Sequence, residues 1–240
     1  SSINLIDMIS TDFSNGFAIF GDSDERFKVK GGNARVTSEL FNRVKDQVQF
    51  DKKLLSIKNN GNAYELSFEY GKPVKDDIVI IEIPFTILRR LNIQLEGISK
   101  DKMRCINELG YGQNNKLIFS TNSRPWREAK NKYSGYLFHQ DIHNGWDSSQ
   151  MQNNNSGPGS YTVFLGGAQS IKMAKEASTQ NLKDQVPEHF VNRYLSKLEL
   201  PFNGFKKQFN GIHRAALWSN NPFINASYAS YSVGQWTSIS

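Results

Sequence analysis

Lys116 is the second residue of the segment NKLIFST, which stands behind LGYGQN and ahead of NSRPWR. Strand alternation there puts Lys116, Ile118 and Ser120 on one face and Leu117 and Phe119 on the other. On an open edge such a lysine is simply solvated. Facing a cavity, it loses hydration, its pKa falls, and it can position an ordered water or stabilise a developing negative charge. Periodicity leaves both readings open. A second concentration of chemistry lies in the tail, where Trp218, Phe223, Tyr228, Tyr231 and Trp236 are packed closely in sequence. These rings suit a core or partner interface, or a cage of ring faces around an amine or planar ligand. A third is HQDIH: in a strand, His139, Asp141 and His143 would share one face as a row of metal ligands. No further ligand cluster accompanies them, and no metal is expected. The turns GGN (31–33) and GYG (110–112) are too short to read as phosphate cradles and are expected to be structural.

Bulk composition narrows the class. At 240 residues the chain can bury a full core, as one or two domains. Lys and Arg exceed Asp and Glu by six, 29 against 23. They are scattered without a block or a regular basic face, so no nucleic-acid partner is expected. No apolar run reaches the roughly 20 residues of a membrane span, and no membrane partner is expected. The single cysteine, Cys105, excludes an internal disulfide framework and every Cys-based zinc pattern. It falls in an amphipathic helical pattern, where a small buried hydrophobe is the expected role. The opening SSINLIDMISTDF lacks the charged start and long apolar centre of a secretory signal. With the lone cysteine, that gives a cytoplasmic expectation. There is no initiator methionine, so the chain is expected to begin inside a longer protein.

The elements that would hold these residues read as follows. Ile3 to Met8 has helical spacing, and Phe27 to Val29 reads as a short strand. After the Gly-Gly turn, Thr37 is the expected N-cap of a helix with Leu40, Phe41, Val44 and Val48 along one face. VQF (48–50), Leu54–Ile57 and Ala63–Tyr70 carry strand signals, with NNGN as hairpin chemistry between the last two. DIVIIEI (77–83) reads as a nearly continuous buried strand. A β-meander over Val48–Pro84 follows. Then come a helix over Lys100–Leu109, the Lys116 strand, and strands near Gly135–His139 and Tyr161–Leu165. These last two bracket an expected surface loop, Asn144–Ser160. Val186–Leu198 reads as a helix with Phe190, Val191, Tyr194 and Leu198 inward. The expected class is α+β, a mixed sheet with flanking helices plus the small β-meander.

Taken in order, FKVKGGNARVTSEL, DDIVIIEIPFTILRRL, LGYGQNNKLIFSTNSRPWR and ALWSNNPFINASYASYSVGQW resemble the flavin-containing amine oxidases, a family of monoamine, polyamine and L-amino-acid oxidases. The resemblance spans nearly the whole chain. It implies that Lys116 matches the lysine that holds a water near the flavin N5, the catalytic position. It also implies that the Leu54 backbone meets the FAD adenine, and that Arg35 lies near flavin and substrate. Trp218 matches the tryptophan beside the isoalloxazine, and Tyr228 one wall of the aromatic cage around the substrate. Ser227 stands where some monoamine oxidases carry a cysteine bound to FAD, so the cofactor implied here is non-covalent. Glu82 stands where the family has a small residue near the cofactor.

The resemblance further implies oxidation of an amine C–N bond to an imine, with O2 reduced to hydrogen peroxide. The family's G-x-G-x-x-G fingerprint and its Gly-Glu flavin segment do not occur in this sequence. An interior portion, inactive and without FAD by itself, is therefore the expectation. Residues 1–38 and 107–217 are expected to form the substrate-binding domain. Residues 39–106 and 218–240 would belong to a partial FAD-binding domain. The missing fingerprint and Glu82 keep a second class open, a non-catalytic binding or interaction module of the same architecture. A third is another flavoprotein of the superfamily, such as a desaturase or a porphyrinogen or sterol oxidase.

Overall fold

Residues that alternate apolar and polar, with β-branched and aromatic side chains, form the strands that carry this protein. The computed structural model describes residues 29–128, 135–149, 152, 156–177 and 186–239. The expected helix at Ile3–Met8 lies outside the described residues, as does most of the expected strand at Phe27–Val29. The fold is mixed α+β, with two sheets among the described residues. In chain order the elements are α1 (Ala34–Val44), β1 (Leu54–Asn60), β2 (Ala63–Phe68), β3 (Val74–Asp76), α2 (Phe85–Leu88), β4 (Asn92–Gln94) and α3 (Lys100–Glu108). Next come β5 (Asn115–Thr121), β6 (Leu137–His139), β7 (His143–Asp147), β8 (Gly159–Leu165), α4 (Gly167–Ala177), α5 (Glu188–Glu199), α6 (Phe205–Gln208) and β9 (Phe209–Ala216). Two compact units result: the described residues up to Leu109 with 231–239, and Gly110–Ser230.

The first unit holds the sheet β3-β2-β1-β4, a β-meander whose β1 also pairs in parallel with β4. The NNGN hairpin forms: Asn60 faces Ala63 across a two-residue turn in which Gly61 takes φ +65°. A positive φ at low steric cost is what glycine offers there. Ser99 caps α3 by accepting a hydrogen bond from the Lys102 amide at 3.1 Å. In that helix Cys105 is half-buried, its Sγ donating to the Ile239 carbonyl at 3.3 Å.

Three expectations fail in this unit. The helix α1 begins at Ala34 behind Asn33, three residues before Thr37, so Thr37 lies within its first turn and caps nothing. Its apolar stripe is open: Leu40 is 58% exposed, Val44 and Val48 are exposed, and Phe41 alone is half-buried, tilted against Phe50 at 5.7 Å. VQF forms no strand, and neither does DIVIIEI, where Ile78 and Ile80 are 81% and 84% exposed. An apolar run becomes a buried strand only when neighbouring strands accept its hydrogen bonds and a layer covers its face. Among the described residues 77–83 joins neither sheet, and only Val79, Ile81 and Ile83 on its other face are half-buried.

The second unit is built on the all-antiparallel sheet β6-β7-β8-β5-β9. Leu117 and Phe119 of β5, Tyr161, Val163 and Leu165 of β8 and Ala215 of β9 are fully buried. They pack with Phe190, Val191, Tyr194 and Leu198 of α5, as their spacing predicts, and with Phe202, Phe205 and Trp126. Trp126 lies 5.1 Å from the Tyr161 ring and 5.7 Å from the Phe205 ring. A Cβ at Gly159 would come within 2.7 Å of Arg124 and 3.0 Å of Trp126, so a residue without a side chain is required beneath that indole.

His213 also faces this core, across from Phe119. Burial lowers its pKa below the ordinary 6.5, partly offset by the Val186 backbone. The unfolded chain therefore takes up the proton more readily, and this group's contribution to stability is lost as pH falls below about 6.5. His213→Leu is expected to flatten the acid side of a plot of denaturation midpoint against pH. An unchanged acid limb would exclude His213 as its source.

Candidate functional site

Lys116 occupies an interior strand, with β8 on one side and β9 on the other. The burial of NKLIFST alternates as its sequence predicts, Asn115, Leu117, Phe119 and Thr121 being buried and the Lys116 face half-buried. Register then decides the lysine's surroundings. One row across the sheet runs Phe138, Asn144, Phe164, Lys116, Ala216. The Lys116 Nζ stands 5.2 Å from the centroid of the directly opposed Phe164 ring and 5.4 Å from that of Trp146, two residues further along β7 on the same face. The two rings meet edge-on at 5.8 Å. Both distances lie within cation–π range. Burial against these rings lowers the Lys116 pKa below its ordinary value. Neither Asp nor Glu appears on this face of the sheet in the strand register. The result is a partly dehydrated amine with ring faces for neighbours.

Trp146 was not anticipated as a site residue. The stretch from Asn144 onward reads as loop, whereas His143–Asp147 is a strand pairing with both β6 and β8. Its short polar sequence, HNGWD, carries only a weak alternation. The His139–Asp141–His143 row likewise dissolves. His139 and His143 face each other across the β6–β7 hairpin, and Asp141 lies in its turn. Asp141 is paired with Lys197, which holds its carboxyl below the usual range. His143 Nδ1 accepts the Gly166 amide at 3.0 Å. Among the described residues no group of three metal-ligating side chains converges.

The tail reaches the Lys116 strand by two routes. Ala216 is the β9 residue opposite Lys116, which sets Trp218 two residues beyond that row, half-buried in a single 3-10 turn, Trp218–Asn220. Further on, the tail runs antiparallel to the GYG turn. The Gly112 amide donates to the Tyr228 carbonyl at 2.8 Å, the Ser227 amide to the Gly112 carbonyl at 3.0 Å, and the Ser230 amide to the Gly110 carbonyl at 2.9 Å. A Cβ at Gly112 would sit 3.0 Å from the Ser227 carbonyl oxygen, so glycine permits the approach. Ser227 is half-buried, whereas the Tyr228 side chain is 63% exposed. The segment expected to be a plain Gly turn is thus the clasp that holds the tyrosine's loop. Of the other tail rings, Phe223 is exposed, and Tyr231 and Trp236 stack edge-on at 4.9 Å in the first unit.

Arg35 and Leu54 belong to the first unit. Arg35 folds over Gly31 and lines a groove of about 410 Å³ with Val36, Glu39 and Leu40. Leu54 begins β1 just before a register irregularity ending at Ser56, a place where a strand commonly frees backbone groups. Glu82 is exposed.

A family model described as flavin containing amine oxidoreductase matches residues 3–238. No curated protein matches the chain. Among solved structures, putrescine oxidase bound to putrescine is 15% identical with a TM-score of 0.68, the match covering 85% of this chain and 42% of that one. A double mutant of putrescine oxidase from a redesign of cofactor binding gives 16% identity and 0.68 over the same shares. Cyclohexylamine oxidase from Brevibacterium oxydans IH-35A gives 14% and 0.67, covering 84% of this chain and 42% of that one. The chain therefore spans about two fifths of these structures and shares their fold.

Proposed function

Because the chain belongs to the family of flavin-containing amine oxidoreductases, we propose that it forms the substrate-facing portion of an FAD-dependent amine oxidase. The observation that carries this is Lys116. It is partly dehydrated between Trp146 and Phe164 on an interior strand; Trp218 follows the neighbouring strand β9, and the Tyr228 loop pairs with the GYG turn that leads into the Lys116 strand. Its donor set fits the exposed edge of a flavin. A half-buried ammonium without a carboxylate on its face retains hydrogen-bonding capacity for a water. Trp218 and Ser227 would stand against the ring system without a covalent bond, since a serine offers no thiolate. By the family resemblance, the Leu54 backbone would meet the FAD adenine and Arg35 would lie near flavin and substrate.

Bound FAD supplies the two-electron oxidation of the amine C–N bond to an imine, with O2 as the final acceptor and hydrogen peroxide as product. The protein's own contribution is positional. Tyr228 offers a ring face that orients an amine nitrogen without giving it a proton. Trp146 and Phe164 keep bulk water from the Lys116 amine. Lys116 holds one water in place by hydrogen bonding, and in its charged form stabilises negative charge developing nearby. Residues 1–38 and 107–217 then serve substrate, and 39–106 with 218–240 serve FAD. On this reading these residues alone hold no flavin, and the active species is the full-length protein. We place it in the cytoplasm; among the described residues no helix is long and apolar enough to cross a membrane.

The test is the full-length protein reconstituted with FAD and offered a panel of primary and secondary amines. A flavin absorbance spectrum that bleaches with one of them under anaerobic conditions, and peroxide formed in air, are the expected results. A protein that takes up no flavin and still binds amines would favour the non-catalytic module. Turnover of a polyene, porphyrinogen or sterol with no amine oxidised would favour the other flavoprotein classes.

A further inference from the structure

Two consecutive asparagines precede Lys116, and the structure gives each a different task. We propose that Asn114 and Asn115 are positioning residues that set Tyr228 and Trp218 in register with Lys116. This rests on the oxidase reading above for the roles of those three residues.

The geometry is specific. Asn114 is half-buried, and its Nδ2 donates to the Ser227 carbonyl oxygen at 2.7 Å. That carbonyl belongs to the peptide leading directly into Tyr228. Asn115 is fully buried on the opposite face. Its Nδ2 donates to Ser170 Oγ at 2.7 Å and to Ser219 Oγ at 3.1 Å. Its Oδ1 accepts the Ser219 amide at 3.3 Å. Ser219 is the residue after Trp218. Asn115 is the first residue of β5 and Asn114 the residue just before it, and the two adjacent side chains reach separate parts of the tail. The amide group suits both tasks, because it carries donors and an acceptor on one short, stiff stem. A carboxylate at 114 would present an acceptor to an acceptor.

These bonds bear on the site rather than on packing alone because the Tyr228 ring is mostly exposed. Little surrounds the ring to fix it, so its direction follows its backbone. That backbone is held by the Gly112 ladder and by Asn114. Gly166 confirms how closely Asn114 is fitted: a Cβ there would stand 2.9 Å from Asn114 Oδ1.

The experiment uses the full-length, flavin-containing protein and its Asn114→Asp, Asn114→Ala and Ser219→Ala variants. Ser219→Ala removes the hydroxyl contacts to Asn115 and leaves that side chain its bonds with Ser170 Oγ and the Ser219 amide. Steady-state kinetics with the best amine, thermal midpoints, and amide hydrogen exchange across 217–230 are measured together. Asn114→Asp is expected to raise KM about tenfold, the effect of one lost hydrogen bond to a partly buried carbonyl, with kcat and the thermal midpoint changed little. Exchange should quicken at Ser227–Ala229. Ser219→Ala should quicken exchange around Trp218 and lower kcat more than it raises KM. A lowered midpoint with unchanged KM and kcat, or exchange unchanged in both segments, would reduce the asparagines to structural fasteners and overturn the proposal. A wild-type protein without oxidase activity would instead sink the oxidase reading. Exchange in the 227–229 and 217–219 segments would still report whether the two anchors exist.

Discussion

Lys116→Met in the full-length, flavin-loaded protein lowers amine turnover by about 100-fold, the usual scale for losing a positioned proton-handling or charge-stabilising group. Methionine matches the lysine stem in length and packs well against ring edges, so the space between Trp146 and Phe164 stays filled. The variant also removes an amine that burial has made less comfortable in its charged form. Its stability is therefore expected to equal or exceed that of the parent, which separates a chemical loss from a folding loss. The pH dependence carries a sign. A lowered lysine pKa means that the charged form is lost at lower pH than for an ordinary lysine. If turnover needs that charge, the alkaline limb of kcat moves toward neutrality. Lys116→Arg, which stays charged throughout, removes the limb even if its fork fits poorly and the rate drops. Wild-type kcat in Lys116→Met would end the assignment of this residue.

Asp147→Ala destabilises the second unit by about 3–5 kcal/mol, the cost of breaking a buried ion pair from one side. Asp147 lies on the core face of β7 with 1% of its side chain exposed, and Arg127 with 16%. Their Nε–Oδ2 separation is 2.5 Å. The other carboxylate oxygen accepts the Ser149 amide at 2.7 Å and the Ser149 hydroxyl at 2.6 Å. Truncation removes the countercharge of a largely buried guanidinium and leaves two donors without their acceptor. Ser149→Ala, which removes a single hydroxyl donor, should cost about 1 kcal/mol. Urea unfolding of both variants gives the comparison. A difference under 1 kcal/mol between them would mean that the pair is far more hydrated than its burial indicates. Because β7 carries Trp146 one residue earlier, Asp147→Ala should also blunt the chemistry of Lys116.

How much of this was legible beforehand depends on the range of the physics involved. The Lys116 strand, the NNGN hairpin, the α5 face and the helix over 100–108 follow from alternation, turn chemistry and helical spacing, all settled within a few residues. The family was legible for a related reason: four motifs in a fixed order survive even where each is loose. DIVIIEI and the α1 stripe show the limit. Their apolar residues demand partners, but a demand does not say which surface answers it. Thr37 failed more locally, because Asn33 and the Gly-Gly turn start the helix one turn sooner.

By itself, the amino-acid sequence determined that this is a mixed α+β protein of the amine oxidoreductase family, with a lysine at the head of a half-buried strand and aromatic residues in its tail. The tertiary structure alone decided what surrounds that lysine. Trp146 and Phe164 reach it from 30 and 48 residues away, through strand register. Asn114 and Asn115 reach the tail across 113 and 104 residues. Register is a cooperative property of the whole sheet, because a shift of one residue turns every side chain to the opposite face. No local pattern around Lys116 contains that information.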